Sequence, residues 1–218
     1  MFTLAKEKDL FINEAFWTKC QPSRKIITDE INTGSIGEPS MVIAQIGTFL
    51  EGRERITNPE LAGGALLDIG VYAISFAMQF LGTNIVDVQG ETIHLNTGVD
   101  SKDSFSLKWN DGKMASLTCS TNCVFPNHGI ITGTKGYIIA DEILNPQKID
   151  LYDSYKNFVK TLPIPKQING YEYEILETIK AIKEGKKECD LMPHDETLKI
   201  IEITDILRKK WNIKYPFE

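Results

Sequence analysis

Ala62-Gly63-Gly64-Ala65-Leu66-Leu67-Asp68-Ile69-Gly70-Val71-Tyr72 is the stretch on which the reading of this chain turns. Two glycines open it, and apolar residues follow at the density of a buried helix. One carboxylate and one phenol interrupt them four residues apart, a spacing that puts both on one helix face. A charged group on a helix otherwise made of Leu, Ile, Val and Ala needs a partner or a chemical task. Two readings stay open at this point. Asp68 is paired to an Arg or Lys elsewhere inside a plain core helix, or the helix presents Asp68 and Tyr72 together to a ligand.

Working outward, the pattern N-terminal to this helix is mixed. Residues 2–8 read as the end of a helix and 10–16 as a strand. Residues 22–33 form an amphipathic helix closed at Gly34, and 40–49 alternate as a strand. Residues 51–61, with their Arg, Glu, Asn and Pro, read as a loop, and the helix over 63–81 ends at Gly82. Beyond it the rhythm becomes one of short strands and turns: 85–94, 103–109, 114–122, 128–132, 137–141, 148–152 and 157–162. Asn110-Asp111-Gly112 is a strong hairpin turn, and Gly133-Thr134-Lys135-Gly136 is a second. Two helices, 171–184 and 192–211, close the chain. Hairpin-linked strands are antiparallel neighbours, so the expected class is α+β: a large, mostly antiparallel mixed sheet with helices on one face. Phe105, Leu107, Trp109, Leu117 and Cys119 are candidates for an apolar outer face, and with them a homodimer through the open side of the sheet.

Composition narrows the function classes. The 218 residues carry a formal charge of −6, with lysines and acids interspersed and no basic block. That argues against a nucleic-acid or anionic-membrane surface. No apolar run is expected to span a bilayer. Cys20, Cys119, Cys123 and Cys189 are irregularly spaced, and His94, His128 and His194 are scattered, so no metal ligand set emerges. Free thiols fit a cytoplasmic protein.

Six stretches carry a family resemblance. They are Glu14-Ala15-Phe16-Trp17-Thr18-Lys19, Gly34-Ser35-Ile36-Gly37, the run from Ala62 to Tyr72, Asn96-Thr97-Gly98-Val99-Asp100, Gly133-Thr134-Lys135-Gly136 and Met192-Pro193-His194. Together, and in this order, they resemble the C-terminal domain of the Gfo/Idh/MocA (glucose–fructose oxidoreductase / inositol dehydrogenase) family. Within it the likeness is to dimeric dihydrodiol dehydrogenases and NADP-dependent D-xylose dehydrogenases. Members of that family begin with a Rossmann domain, whose Gly-x-Gly-x-x-Gly turn binds the dinucleotide. No such turn occurs here, and the family's Glu-Lys-Pro motif is absent as well. The resemblance therefore implies that residues 1–16 are a remnant of the last helix and strand of the Rossmann domain. Residues 17–218 are then the substrate-binding and dimerisation domain.

It also implies roles. Tyr72 is the catalytic acid/base, and Asp68 orients it or the substrate hydroxyls. Trp17 borders both substrate and nicotinamide, Lys19 lies at the cofactor end, and Arg55 with Arg53 meets Asp68 or a substrate oxygen. NADP or NAD serves the full-length enzyme, with none expected on this chain alone, and the substrate is a sugar or diol. Plainer readings stand beside each role. Trp17 and Tyr72 are core aromatics, Arg53 and Arg55 are solvated, and His194 is a cap or surface residue. The alternative function is a cofactor-free ligand-binding or dimerisation module. A free phenol ionises near pH ~10, so Tyr72 needs a cation beside it to work as a base near neutrality.

Overall fold

The computed structural model describes residues 1–218. Its centre is one sheet of eight strands: β1 (Pro39–Gly47), β2 (Ile85–His94), β3 (Asp100–Trp109), β4 (Met114–Ser120), β5 (Gly129–Gly133), β6 (Gly136–Ala140), β7 (Ile149–Asp153) and β8 (Phe158–Leu162). They lie in the order β2-β3-β4-β1-β5-β6-β7-β8. Six neighbouring pairs are antiparallel and largely hairpin-linked. The exception is β1, which enters the middle of the sheet and runs parallel to β4, Val42 opposite Ala115 and Ile46 opposite Cys119. The helical crossover after β1 makes this possible, because only a long connection returns the chain to a parallel neighbour.

The helices are α1 (Phe2–Glu7), α2 (Pro22–Asn32), α3 (Glu54–Thr57), α4 (Val71–Leu81), α5 (Tyr171–Lys183) and α6 (His194–Lys210). The inner face of the sheet supplies Val42, Ala44, Ile46, Phe105, Leu107, Trp109, Leu117, Cys119, Ile131 and Ile138 to one core cluster. Ile74, Phe76, Ala77 and Leu81 of α4 and Ile200, Ile203 and Leu207 of α6 complete it. Alternation along each strand dictates this: one side chain in two meets the helices, the other meets solvent.

Four expectations need correction. Phe105, Leu107, Trp109, Leu117 and Cys119 do not form an outer face; all are buried in the single chain. Phe105 packs edge-on against Trp211 at 6.3 Å, and the Trp109 indole donates to the Gly82 carbonyl at 2.8 Å, both on the helix side. The outward positions are instead Met41, Ile43, Met114 and their polar neighbours. Residues 10–16 are extended but form no strand, because nothing lies alongside to build a ladder. Their one long-range backbone bond runs from Ile12 N to the Lys187 carbonyl at 3.1 Å. Residues 51–61 are not plain loop. Buried Ile56 anchors α3, and the Asn58 side chain accepts from Glu60 N at 2.9 Å to start a 3₁₀ turn, Pro59–Leu61. Finally, the segment 59–81 is long and apolar enough to pass for a membrane span, but it is mostly buried as the core helix of this sheet.

The N-terminal segment is tied down by His194. Its ring stacks on Phe2 at 4.1 Å, and its Nε2–H donates to the Ile12 carbonyl at 2.8 Å.

Candidate active site

The helix carrying Asp68 and Tyr72 begins later than the glycines suggest and is not uniformly α. Gly64 has φ +131°, a conformation L side chains rarely adopt, and a Cβ there would overlap an oxygen of Asp100. Helical structure starts at residue 65, passes through a π-turn at Leu66–Gly70, and becomes α4 at Val71. In the π-turn the Val71 N–H reaches back to the Leu66 carbonyl. Gly70 permits the wide turn to press on the sheet, since a Cβ there would lie 2.9 Å from Cys119 Sγ. Single π-turns inside helices concentrate at functional sites.

Asp68 and Tyr72 share one face of this helix, as the four-residue spacing predicts. Asp68 forms an ion pair with Arg55 of α3. The aspartate is mostly covered and the arginine half exposed, so the pair lies near the surface. Tyr72 is half-buried, its ring tilted against Phe16 at 5.0 Å. Burial pushes its phenol above the usual value, and the carboxylate of Asp68 pushes it further; the nearby Trp17 indole pulls the other way. Trp17, at the start of the 3₁₀ turn Trp17–Cys20, stacks on Tyr171 at 4.6 Å and 24°. Asp68, Arg55, Tyr72, Trp17 and Tyr171 therefore form one polar-aromatic surface. Reading the sequence missed Tyr171, which enters from the first turn of α5, far along the chain. Glu174, one turn on, is held above the usual carboxylate range by burial, and its charge also reaches Tyr72.

Two of the expected residues stand apart. Arg53 is exposed just before α3 and makes no ion pair. Lys19 is buried, its ammonium donating to Glu196 Oε1 at 2.7 Å and Gln79 Oε1 at 2.6 Å. Gln79 lies seven residues beyond Tyr72, two helical turns or about 10 Å along the axis. Lys19 thus ties the Trp17–Cys20 turn to α4 and α6 rather than facing the phenol. Burial lowers its pKa, opposed by Glu196. The Gly133–Gly136 segment is the β5–β6 hairpin turn, as expected.

Trp17 offers a flat aromatic wall beside Tyr72, whereas a dinucleotide's phosphates would find no glycine-rich turn in this sequence.

A mostly antiparallel mixed sheet backed on one face by helices is the architecture of an oxidoreductase family's C-terminal domain. The chain belongs to the GFO/IDH/MocA family: residues 26–139 match that family's C-terminal domain. Over 226 residues it is 31% identical to trans-1,2-dihydrobenzene-1,2-diol dehydrogenase of Danio rerio and 28% identical to that of Homo sapiens. Each alignment covers 99% of this chain and 66% of the relative, so the chain spans just under two thirds of those enzymes. In fold it is similar to KijD10, a 3-ketoreductase from Actinomadura kijaniata in complex with NADP and TDP-benzene, with TM-score 0.81 and 22% identity over 95% of this chain and 65% of that one. It is also similar to aldose-aldose oxidoreductase from Caulobacter crescentus complexed with glycerol, with TM-score 0.73 and 19% identity over 90% and 60% of the two chains.

Proposed function

We propose that this chain is the substrate-binding and proton-transferring part of an NAD(P)-dependent oxidoreductase that acts on the CH–OH group of a sugar or diol. The observation that carries the reading is the placement of Tyr72 one turn from Asp68, under an Arg55 clamp and beside the Trp17–Tyr171 wall. The dihydrodiol dehydrogenases it resembles support the reaction class. In this proposal the third of the relatives that this chain does not match includes the nucleotide-binding domain, and residues 1–16 lead in from it. The nicotinamide, when bound, supplies the hydride acceptor or donor.

This chain's residues handle the proton and the substrate. Tyr72 holds its proton at neutral pH, because burial and Asp68 both favour the phenol. It donates that proton to a carbonyl oxygen in reduction. To take one up in oxidation it needs a cation, which in this proposal comes from the unmatched part. Asp68 and Arg55 orient hydroxyls, and Trp17 with Tyr171 offers a face for the C–H side of a ring. Arg53 and Lys19 take no part in the proton step.

Homodimerisation through the open sheet face belongs to the same proposal, now through Met41, Ile43 and Met114. So does a reducing, cytoplasmic location, which suits four unpaired cysteines.

The test is turnover of D-xylose and a trans-dihydrodiol with NADP and NAD, by this chain joined to a family nucleotide-binding domain. Tyr72→Phe should lower kcat about 100- to 10,000-fold, the usual worth of a general acid. An inert joined enzyme across a broad polyol panel would leave the cofactor-free binding module as the better account.

A further inference from the structure

Beneath the site helix lies a polar cluster that the proton-transfer reading does not use. Asp100 opens β3 with no solvent exposure, and Asp103 on the same strand is 2% exposed. One Asp100 oxygen accepts from Leu66 N at 2.5 Å, while the other, Oδ1, has no partner. The extra residue of the β3 bulge, where His94 pairs with Asp100 and Ile93 with Lys102, returns Asp103 to the same buried face as Asp100. Asp103 accepts from Thr92 Oγ1 of β2 at 2.6 Å and from Cys119 Sγ of β4 at 3.0 Å.

Nothing positive neutralises these two acids. Neither forms an ion pair. His94, opposite Asp100 in the β2–β3 ladder, is exposed, as is Lys102 between them. The Cys119 thiol, on β4, stays protonated because burial and Asp103 both push it up. From the C-terminal segment Tyr215 donates its hydroxyl to the Gly63 carbonyl at 2.9 Å, and it too is held neutral by burial and Asp100. Arg208 of α6 lies beyond Tyr215, over its ring at 4.5 Å, and bonds Glu218 and Asp205. Two neighbouring buried carboxylates with no cation cannot both be ionised. A buried lone pair left open is also costly.

We infer that Asp100 and Asp103 hold one proton between them, and that this protonated pair seats the N-terminus of the helix bearing Asp68 and Tyr72. The Asp103 hydroxyl fills the open valence of Asp100 Oδ1, and Asp100 Oδ2 caps Leu66 N. Asp100 is then a positioning residue, in direct contact with the first turn of the site helix. Both glycines that flank Asp68 abut this seat. A Cβ at Gly64 would strike Asp100, and one at Gly70 would press on Cys119, the donor to Asp103. The second and third glycines of Gly-Gly-x-x-x-Asp-x-Gly are on this account the imprint of the acid pair, while Gly63 answers to the Ile56 carbonyl. The consequence for Tyr72 rests on its role as proton donor; the shared proton does not.

The direction of the pH effect follows. Burial and then the Asp100 charge raise Asp103 to about 8. An unfolded aspartate ionises near pH ~3.9. Between those values the folded chain holds a proton that the unfolded chain has lost, so stability falls as pH rises from about 4 to about 8 and then levels off.

The experiment is infrared difference spectroscopy and thermal unfolding of this chain from pH 5 to 9, with Asp103→Asn and Asp103→Ala. The expected result is a protonated-carboxyl carbonyl band at pH 6 that disappears through about pH 8 and is missing in both variants. Asp103→Asn keeps a donor toward Asp100 at every pH. Its melting temperature should therefore fall less between pH 5 and 8 and exceed the parent's at pH 9. Asp103→Ala should melt lower than Asp103→Asn throughout, with faster amide exchange at Leu66. Absence of the band in the folded parent, or an Asp103→Asn melting curve with the parent's pH dependence, overturns the inference. None of these measurements needs turnover, so an inert joined enzyme would leave this result standing.

Discussion

Tyr72 is set among acids. Asp68 lies one turn before it and Glu174 faces it from α5, and both raise its pKa on top of burial. Removing one of those charges must stabilise the phenolate. Asp68→Asn should therefore lower the Tyr72 pKa, more so because Arg55 is then left without its anion. Arg55→Ala should raise it, since Asp68 loses its counter-charge. Tyrosinate absorbance of the chain against pH, with Tyr72→Phe subtracted, reads both signs; shifts in the same direction would refute the assignment. The Arg55–Asp68 pair is partly solvated, so either change should cost no more than about 1 kcal/mol of stability. The shared face of Asp68 and Tyr72 was legible beforehand because four-residue spacing survives the π-turn. Tyr171 and the Asp100–Asp103 pair were not. Their partners come from elements distant in sequence, and no local periodicity marks such a meeting. The partners of Lys19, Glu196 and Gln79, were hidden for the same reason, since both come from elements distant in sequence.

At the scale of elements, the site depends on how one helix sits on one sheet and how two clamps hold it. The first clamp is Lys19 with Glu196 and Gln79, joining the Trp17–Cys20 turn, α4 and α6. Breaking it from one side leaves a buried charge unpaired. Glu196→Ala should cost about 3–5 kcal/mol in denaturant unfolding, whereas Lys19→Met with Glu196→Leu should cost far less. Equal losses in the two would mean the pair itself, rather than the orphaned charge, carries the stability. The second clamp is the contact of Gly70 with Cys119. Gly70→Ala overpacks it and should destabilise by about 1–3 kcal/mol. Cys119→Ala removes the sulfur that Gly70 touches, so the double variant should recover part of that loss, and the two substitutions should be non-additive. Most strands could be read from alternation and turns. The π-turn and the parallel entry of β1 could not, because wide-turn hydrogen bonding and the choice of β4 as neighbour are decided by packing across the sheet.

For the whole molecule, the sheet has two unlike sides. The inner side is consumed by α4 and α6. The outer side leaves Met41 36%, Ile43 37% and Met114 45% exposed, with Met41 and Met114 facing each other across the β1–β4 pairing. The Tyr137 and Tyr152 rings continue that surface on β6 and β7, stacked at 4.8 Å. An apolar centre on an open sheet suits a second copy of the same face, because a two-fold axis brings a patch onto itself. Ile43→Lys would bury two ammonium groups against each other in such a dimer, yet in a monomer it only lengthens an exposed side chain. It should therefore convert a dimer to a monomer in sedimentation equilibrium while changing the monomer's own unfolding free energy by about 0.5 kcal/mol or less. Tyr72 lies on the opposite side of the sheet, behind the core. Its tyrosinate titration should be the same in the Ile43→Lys variant as in the parent, so association and proton chemistry separate cleanly. A parent chain already monomeric at high concentration would remove the dimer while leaving the inner face, and every residue of the site, as described.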